Sequence, residues 1–183
     1  MDKIKKYTYI PNILSKDERN FFWNYAKMFH RNNHDYRDNQ TLLEETVRYG
    51  DPVAESLLLF KKEYIEKHIN DKLTETYSYW RIYNKFSSLE KHVDRESCEY
   101  TVSITVAADK EWPLYIEDES CVIKPGDGII YDGCNHEHWR DEYNGDYSCQ
   151  VFFHYVKKNG KFEHLKYDRR PYLGLPHSFR DQI

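Results

Sequence analysis

The chain has 183 residues, with 27 Lys and Arg against 31 Asp and Glu and a formal net charge of −4. That length suits one domain able to bury a core without staples, and so mild a charge gives no case for nucleic acid or a membrane surface as the main partner. No apolar run approaches the roughly 20 residues of a membrane span, and Met1-Asp2-Lys3-Ile4-Lys5-Lys6 has no apolar core behind it, so neither span nor signal peptide is expected. Aromatics make up 16% of the chain, with 17 tyrosines, so much of the core or pocket must be aromatic. Cys98, Cys121, Cys134 and Cys149 are far apart and fit no zinc spacing, and they read as free thiols of a cytoplasmic protein.

Tyr7 to Ile10 alternate aromatic and other residues as a first strand. Ser15 followed by Glu18 is a capping box, and a helix over Lys16 to Phe29 follows, with Phe22, Tyr25, Ala26 and Phe29 on one face. The polar run His30 to Gln40 reads as a loop, which argues against metal binding by His30 and His34. Asp51-Pro52 caps and opens a second helix running to Ile69 or Leu73. Its stripe of Val53, Leu57, Phe60, Tyr64, Ile65, His68 and Ile69 is expected to lie on a sheet, with His68 as packing.

From Thr76 the periodicity changes to two. Tyr77 to Tyr83 reads as a strand, followed by a turn at Asn84 to Ser88 and a short strand carrying His92 and Asp94. Further strands are expected at Tyr100 to Val106, Trp112 to Ile116, Cys121 to Ile123, Ile129 to Tyr131 and Ser148 to Val156, with a tight turn at Lys124 to Gly128. Two helices and then a succession of short strands predict an α+β, mainly β chain, an antiparallel sandwich or open barrel with helices on one face. Residues 1–75 form helical support, 76–156 the β core, and 157–183 a C-terminal extension. That extension carries seven basic and three acidic side chains and is expected to be a solvated extension packing around the barrel.

The chemistry concentrates on His92-Val93-Asp94 and on His138 in Asn135-His136-Glu137-His138-Trp139-Arg140. A histidine and an aspartate two apart on extended chain project the same way. A second histidine from a neighbouring strand would complete a two-histidine, one-carboxylate face that leaves coordination positions open, which suits non-haem Fe(II). His136 competes with His138 as third ligand, because residues two apart on a strand share a face. His138 is preferred because Gly133-Cys134-Asn135 is turn-like and places His136 in a loop.

In this order the motifs resemble the Fe(II)/2-oxoglutarate oxygenases, in particular the prolyl-4-hydroxylase-like branch. The residues that carry the resemblance are Ile13-Leu14-Ser15 with Glu18, Arg81-Ile82-Tyr83 about nine residues before the metal motif, His92-x-Asp94, Trp112-Pro113-Leu114, Pro125-Gly126-Asp127, His138-Trp139-Arg140 and Gln150 to Val156. The resemblance implies a double-stranded β-helix, a jelly-roll or cupin-like barrel. It implies Fe(II) on His92, Asp94 and His138, with 2-oxoglutarate and O2 as co-substrates, the former ending as succinate and CO2. With an acid at position 94 it implies hydroxylation of an unactivated C–H bond rather than halogenation, on a prolyl or other peptidyl side chain or on a small molecule such as a free amino acid.

One departure concerns the co-substrate. The family often holds its distal carboxylate with a basic residue roughly nine or ten positions past the second histidine, because a buried carboxylate needs a charge-assisted partner. Here those positions are Tyr147 and Ser148. The expected anchor is Tyr83 with Arg140, and Gln150 and His154 share a face of the last strand that would bond the carboxylate instead of, or beside, an arginine. The competing expectation pairs Arg140 with Asp141 or Glu142 at the barrel rim, and Arg81, Lys85 and Arg95 are the other nearby cations. Two other functions fit the same residues: a metal-binding barrel without turnover, and a zinc hydrolase, for which Glu137 is a poorly placed base. Asn32 to Thr46 and Arg95 to Cys98 are the segments expected to select substrate.

Overall fold

The computed structural model describes residues 6–32 and 45–182, so His34 and positions 33–44 of the expected substrate loop lie outside the described residues. The elements in chain order are β1 (Tyr7–Ile10), α1 (Lys16–Asn32), β2 (Thr46–Tyr49), α2 (Pro52–Ile69), β3 (Leu73–Asn84), β4 (Leu89–His92), β5 (Tyr100–Ala108), β6 (Leu114–Ile116), β7 (Glu119–Cys121), β8 (Gly128–Tyr131), β9 (His138–Arg140) and β10 (Tyr147–Lys157), with short 3-10 turns at Glu96–Cys98, Glu163–Arg169 and His177–Phe179. None of the described helices is long and apolar enough to cross a membrane.

The strands form two antiparallel sheets, one of six strands in the order β1-β8-β5-β10-β3-β2 and one of four in the order β4-β9-β6-β7. The chain is thus mainly β with two long helices. β10 is the spine of the larger sheet, pairing along most of its length with β3 on one side and β5 on the other. The residues before position 75 are more than helical support, because β1 and β2 supply both edges of that sheet. β2 is absent from the sequence reading: four residues on an edge carry too little periodicity to stand out from a loop.

Alternation along the three central strands divides their side chains between two environments. Trp80 and Ile82 of β3, Val102, Ile104 and Val106 of β5, and Val151, Phe153 and Tyr155 of β10 pack with Phe22, Ala26, Ala54, Leu58 and Ile65 of the helices into one buried cluster. The other face carries Tyr77, Tyr79, Arg81 and Tyr83 of β3, Thr101 of β5, and Phe152 and His154 of β10, which meet His92, Leu114 and His138 of the smaller sheet around a cavity of about 400 Å³. The helices close one side of the large sheet and the small sheet closes the other.

Both helix starts are capped as their sequences predict. Glu18 N–H donates to Ser15 Oγ at 3.2 Å while Ser15 N–H donates to Glu18 Oε2 at 2.7 Å, and Asp51 accepts from the N–H groups of Val53 and Ala54 at 3.0 and 3.1 Å. The buried stripe of α2 is rotated from the expected one: Ala54, Leu58 and Ile65 are inside with Glu55 and Glu66, whereas Phe60 is 72% exposed. Glu55 pairs there with buried Arg170, and Glu66 takes the Leu73 N–H and the exposed Lys72. His68 lies on the exposed side, its ring tilted against that of Tyr64 with centroids 4.5 Å apart.

The C-terminal extension packs around the barrel as expected, largely solvated but anchored by a few buried side chains. Asp168 and Arg170 are 0% and 1% exposed. Arg170 donates to Glu55 Oε1 at 2.6 Å and to Thr76 O at 3.2 Å, and Asp168 accepts from Tyr49, Ser97 and Arg95. Two of its basic residues meet buried acids, Arg170 on Glu55 of α2 and Arg180 on Asp168. Tyr167, Asp168 and Arg169 take three successive left-handed conformations, with φ of 55°, 55° and 61°, a costly backbone path for side-chain-bearing residues that the Asp168 and Arg170 contacts hold in place.

Candidate metal centre

β4 and β9 pair antiparallel with His92 directly opposite His138, which brings the imidazole centroids to 4.3 Å. β4 stops at His92, so Asp94 lies in the loop that follows rather than on the strand. Its N–H still donates to Gly133 O at 2.8 Å, which ties that loop to the turn before β9. Asp94 Oδ1 lies 3.5 Å from His92 Nε2 and 3.7 Å from His138 Nε2. The three ligand atoms all fall within 4.8 Å of one another.

The second nitrogen of each imidazole fits these groups for a cation. His92 Nδ1 lies 2.7 Å from Glu90 O and His138 Nδ1 lies 3.0 Å from His136 O. A carbonyl only accepts, so Nδ1 carries the proton in both rings and the Nε2 lone pairs converge beside the carboxylate, the orientation that ligating histidines take. Burial pushes His138 down and keeps it neutral. Burial lowers His92 too, but Asp94 and the Glu90 carbonyl outweigh it and leave the imidazole raised. Burial would raise Asp94, yet the His92 hydrogen bond, the imidazoles of His138 and His154 and the Thr101 hydroxyl hold it below the usual carboxylate range.

His136 stands in the loop before β9 with Nδ1 2.7 Å from Glu117 Oε1, outside this group. Glu137 pairs with Lys91 at 2.7 Å with its side chain 56% exposed, turned away from the imidazoles as the strand period requires.

Tyr83 lines the cavity and is 1% exposed. Arg81, two residues earlier on the same face, lines it too, with its guanidinium 5.2 Å from the Tyr83 ring and 3.5 Å from Glu45 Oε2. Arg140 is buried, 2% exposed, so it is not paired with an acid at the rim. Being two residues past His138 on a short strand, it shares the inward face. Nη1 donates to Trp112 O at 2.5 Å and the guanidinium lies 4.8 Å from the Trp112 ring, while Nε and Nη2 have no hydrogen-bond partner among the described residues. Its opposite residue Leu89 and its electrostatic neighbours Tyr83 and Tyr131 line the cavity, whereas Arg140 itself does not. Gln150 is not brought to this cavity. It accepts from Thr105 Oγ1 at 3.1 Å, donates to Ser148 Oγ at 2.9 Å, and opens on a separate cavity of about 200 Å³.

One wall is a run of rings. Tyr49 and Tyr77 lie 4.9 Å apart, Tyr77 and His154 stack at 4.3 Å, and His177 meets Tyr49 edge-on at 5.2 Å. His177 and Arg180 reach the cavity from the C-terminal strap. Nothing in the sequence flagged them, and a contact made across more than a hundred residues leaves no local periodicity to read.

No protein-family model matches the chain, and no curated protein is similar to it in sequence. Its fold is shared with solved structures at low identity. A prolyl-4-hydroxylase from Pseudomonas putida is 10% identical with a TM-score of 0.65, covering 85% of this chain and 94% of that one. A prolyl hydroxylase from Trichoplax adhaerens, solved with a hypoxia inducible factor peptide fragment, is 12% identical with a TM-score of 0.66 over 88% and 87% of the two chains. HygX from Streptomyces hygroscopicus, solved with nickel, 2-oxoglutarate and hygromycin B, is 12% identical with a TM-score of 0.63 over 84% and 83%. The chain has the cupin-like fold of these 2-oxoglutarate and Fe(II) oxygenases.

Proposed function

We propose that the chain is an Fe(II)- and 2-oxoglutarate-dependent dioxygenase that hydroxylates an unactivated C–H bond, with its two facing sheets forming a double-stranded β-helix. The observation that carries this reading is the convergence of His92 Nε2, His138 Nε2 and Asp94 Oδ1 on the wall of a cavity that also holds Tyr83. Two imidazoles and one carboxylate are the donor set suited to Fe(II) with positions left open. A bound iron would supply oxygen activation coupled to conversion of 2-oxoglutarate to succinate and CO2.

The protein's own part is binding, orientation and exclusion of water. Asp94 brings the one negative charge, and His92 and His138 are locked in the ligating tautomer by backbone carbonyls. Tyr83 and Arg140 hold the distal carboxylate of 2-oxoglutarate. A buried guanidinium whose Nε and Nη2 have no partner among the described residues is a charge awaiting an anion. Arg81, across from Gln150 on the neighbouring strand, is the second cation available and takes the place of the basic residue missing at Tyr147 and Ser148. Leu89 and Leu114 line the space between and keep it dry.

The substrate enters past the aromatic wall and the strap. A prolyl or other peptidyl side chain is the first reading of its class, since two of the similar structures are prolyl hydroxylases. A small molecule is the second, since HygX was solved with hygromycin B bound. Four free cysteines, three of them buried, agree with a reducing cytoplasm. The test is succinate release from 2-oxoglutarate by the iron-loaded protein in air, with and without candidate substrates. Slow substrate-independent turnover that disappears in His92→Ala supports the proposal, and no succinate under any condition counts against it.

A further inference from the structure

The Asp94 carboxylate has two oxygens, and only Oδ1 faces the imidazoles. Oδ2 is held elsewhere: it accepts a hydrogen bond from the Thr101 hydroxyl at 2.9 Å. Thr101 is 1% exposed in β5, between Tyr131 of β8 on one side and His154 of β10 on the other. Its Oγ1 also lies 3.2 Å from His154 Nδ1 and 3.3 Å from Cys98 O. A hydroxyl has one proton to give. The carboxylate is the nearer and the charged acceptor, so it takes that proton, and the Thr101 lone pairs are left facing His154 Nδ1–H. The hydrogen bonds therefore run one way, from His154 to Thr101 to Asp94.

The space for this pair is made by a glycine. A Cβ at Gly133 would fall 2.5 Å from Asp94 Oδ2, 2.6 Å from Thr101 Oγ1 and 2.9 Å from Cys98 O. The same residue's carbonyl accepts the Asp94 N–H at 2.8 Å. Gly133 thus fixes the Asp94 backbone while leaving room for its carboxylate to reach Thr101.

We propose that Thr101, Gly133 and His154 are positioning residues of the metal centre, which keep Asp94 Oδ2 engaged with protein so that the carboxylate binds metal through Oδ1 alone. The inference rests on the metal-site reading above. Its consequence is one more coordination position left for small molecules: a carboxylate free to swing would bind through both oxygens and take a place that co-substrate or oxygen needs. None of the three is a ligand, and His154 and Thr101 act only through Asp94.

Co(II) serves as the probe, titrated anaerobically into the apo-protein and followed by its visible bands. Thr101→Val keeps the shape and β-branching of the side chain and removes only the hydroxyl. It is expected to weaken Co(II) binding roughly 10- to 100-fold and to alter the band envelope, while Thr101→Ser stays within about threefold of wild type. Gly133→Ala is expected to weaken binding like Thr101→Val. Melting curves of the apo-proteins accompany each titration. Wild-type affinity and an unchanged spectrum in a folded Thr101→Val would overturn the inference and leave the metal site standing. Co(II) binding that is indifferent to His92→Ala would instead remove the metal site itself, and the positioning role with it.

Discussion

Arg95, the residue directly after Asp94, closes a two-point ion pair on Asp168, with Nη1 2.5 Å and Nη2 2.7 Å from its two carboxylate oxygens. The loop that carries the candidate ligand is thereby fastened to a strap 73 positions further along the chain. Ser97 donates to the same carboxylate at 2.6 Å and Arg180 approaches it at 3.3 Å, so Asp168 gathers the metal loop and the cavity wall on one buried charge.

Asp168→Ala is therefore expected to loosen both at once. Losing one partner of a buried pair costs about 3–5 kcal/mol, and because the Arg95 side chain keeps 37% of its exposure the expected loss is nearer 2 kcal/mol. Urea unfolding measures it, and limited proteolysis should show new cleavage within 157–182.

The second buried pair of the strap, Glu55 with Arg170, is 2% and 0% exposed at its side chains. Glu55→Met should cost about 3–5 kcal/mol by leaving Arg170 buried without its counter-charge, whereas Glu55→Met with Arg170→Met should cost less than that single change. Gly50 belongs to the same junction. Its φ is +63°, and a Cβ there would fall 2.6 Å from Leu175 O and overlap the Arg170 guanidinium, so Gly50→Ala should also destabilise. Denaturant midpoints of the three variants check these outcomes.

Arg140 makes an opposite prediction for stability and for binding. Its Nε and Nη2 are buried without partners among the described residues, so Arg140→Met in the apo-protein should melt at the wild-type temperature or above it. The same variant should lose at least roughly tenfold in 2-oxoglutarate affinity, since the distal carboxylate loses its charge-assisted donor. Calorimetric titration beside a melting curve separates the two effects. Arg81→Met is the companion that apportions the anchor between the two arginines.

His154 gives the apo-protein a pH dependence. Burial pushes its imidazole down to about 4. The unfolded chain, titrating near 6.5, binds the proton more readily over that interval, so stability is full above about 6.5 and is lost as pH falls toward 4. The loss attributable to this residue is on the order of 3 kcal/mol. Melting temperature against pH should show that decline in wild type and a shallower one in His154→Phe.

The alternation of β3, β5 and β10, the capping box of α1 and the Asp51-Pro52 start of α2 were legible because each is a local pattern with a fixed spacing. The convergence of His92, Asp94 and His138 was legible in part: the spacing named the residues, while the tether from Asp94 to Gly133 replaced the strand expected to present them. Gln150 shares a strand face with His154 but opens at another place, since a period of two gives the face and not the depth along the barrel. Gly133 was legible only as part of a turn, and Asp168, Arg170 and Thr101 left no trace of their roles in the sequence because their meaning lies in pairings across the fold.

The measurement that tests the account most directly is an anaerobic titration of apo-protein with Fe(II) and then 2-oxoglutarate, watching for the visible iron-to-ligand charge-transfer band in wild type, His138→Ala and His136→Ala. The account predicts a band in wild type that survives in His136→Ala and vanishes in His138→Ala. Stoichiometric iron with no band at any 2-oxoglutarate concentration would contradict it and bring forward a metal-binding barrel without this co-substrate.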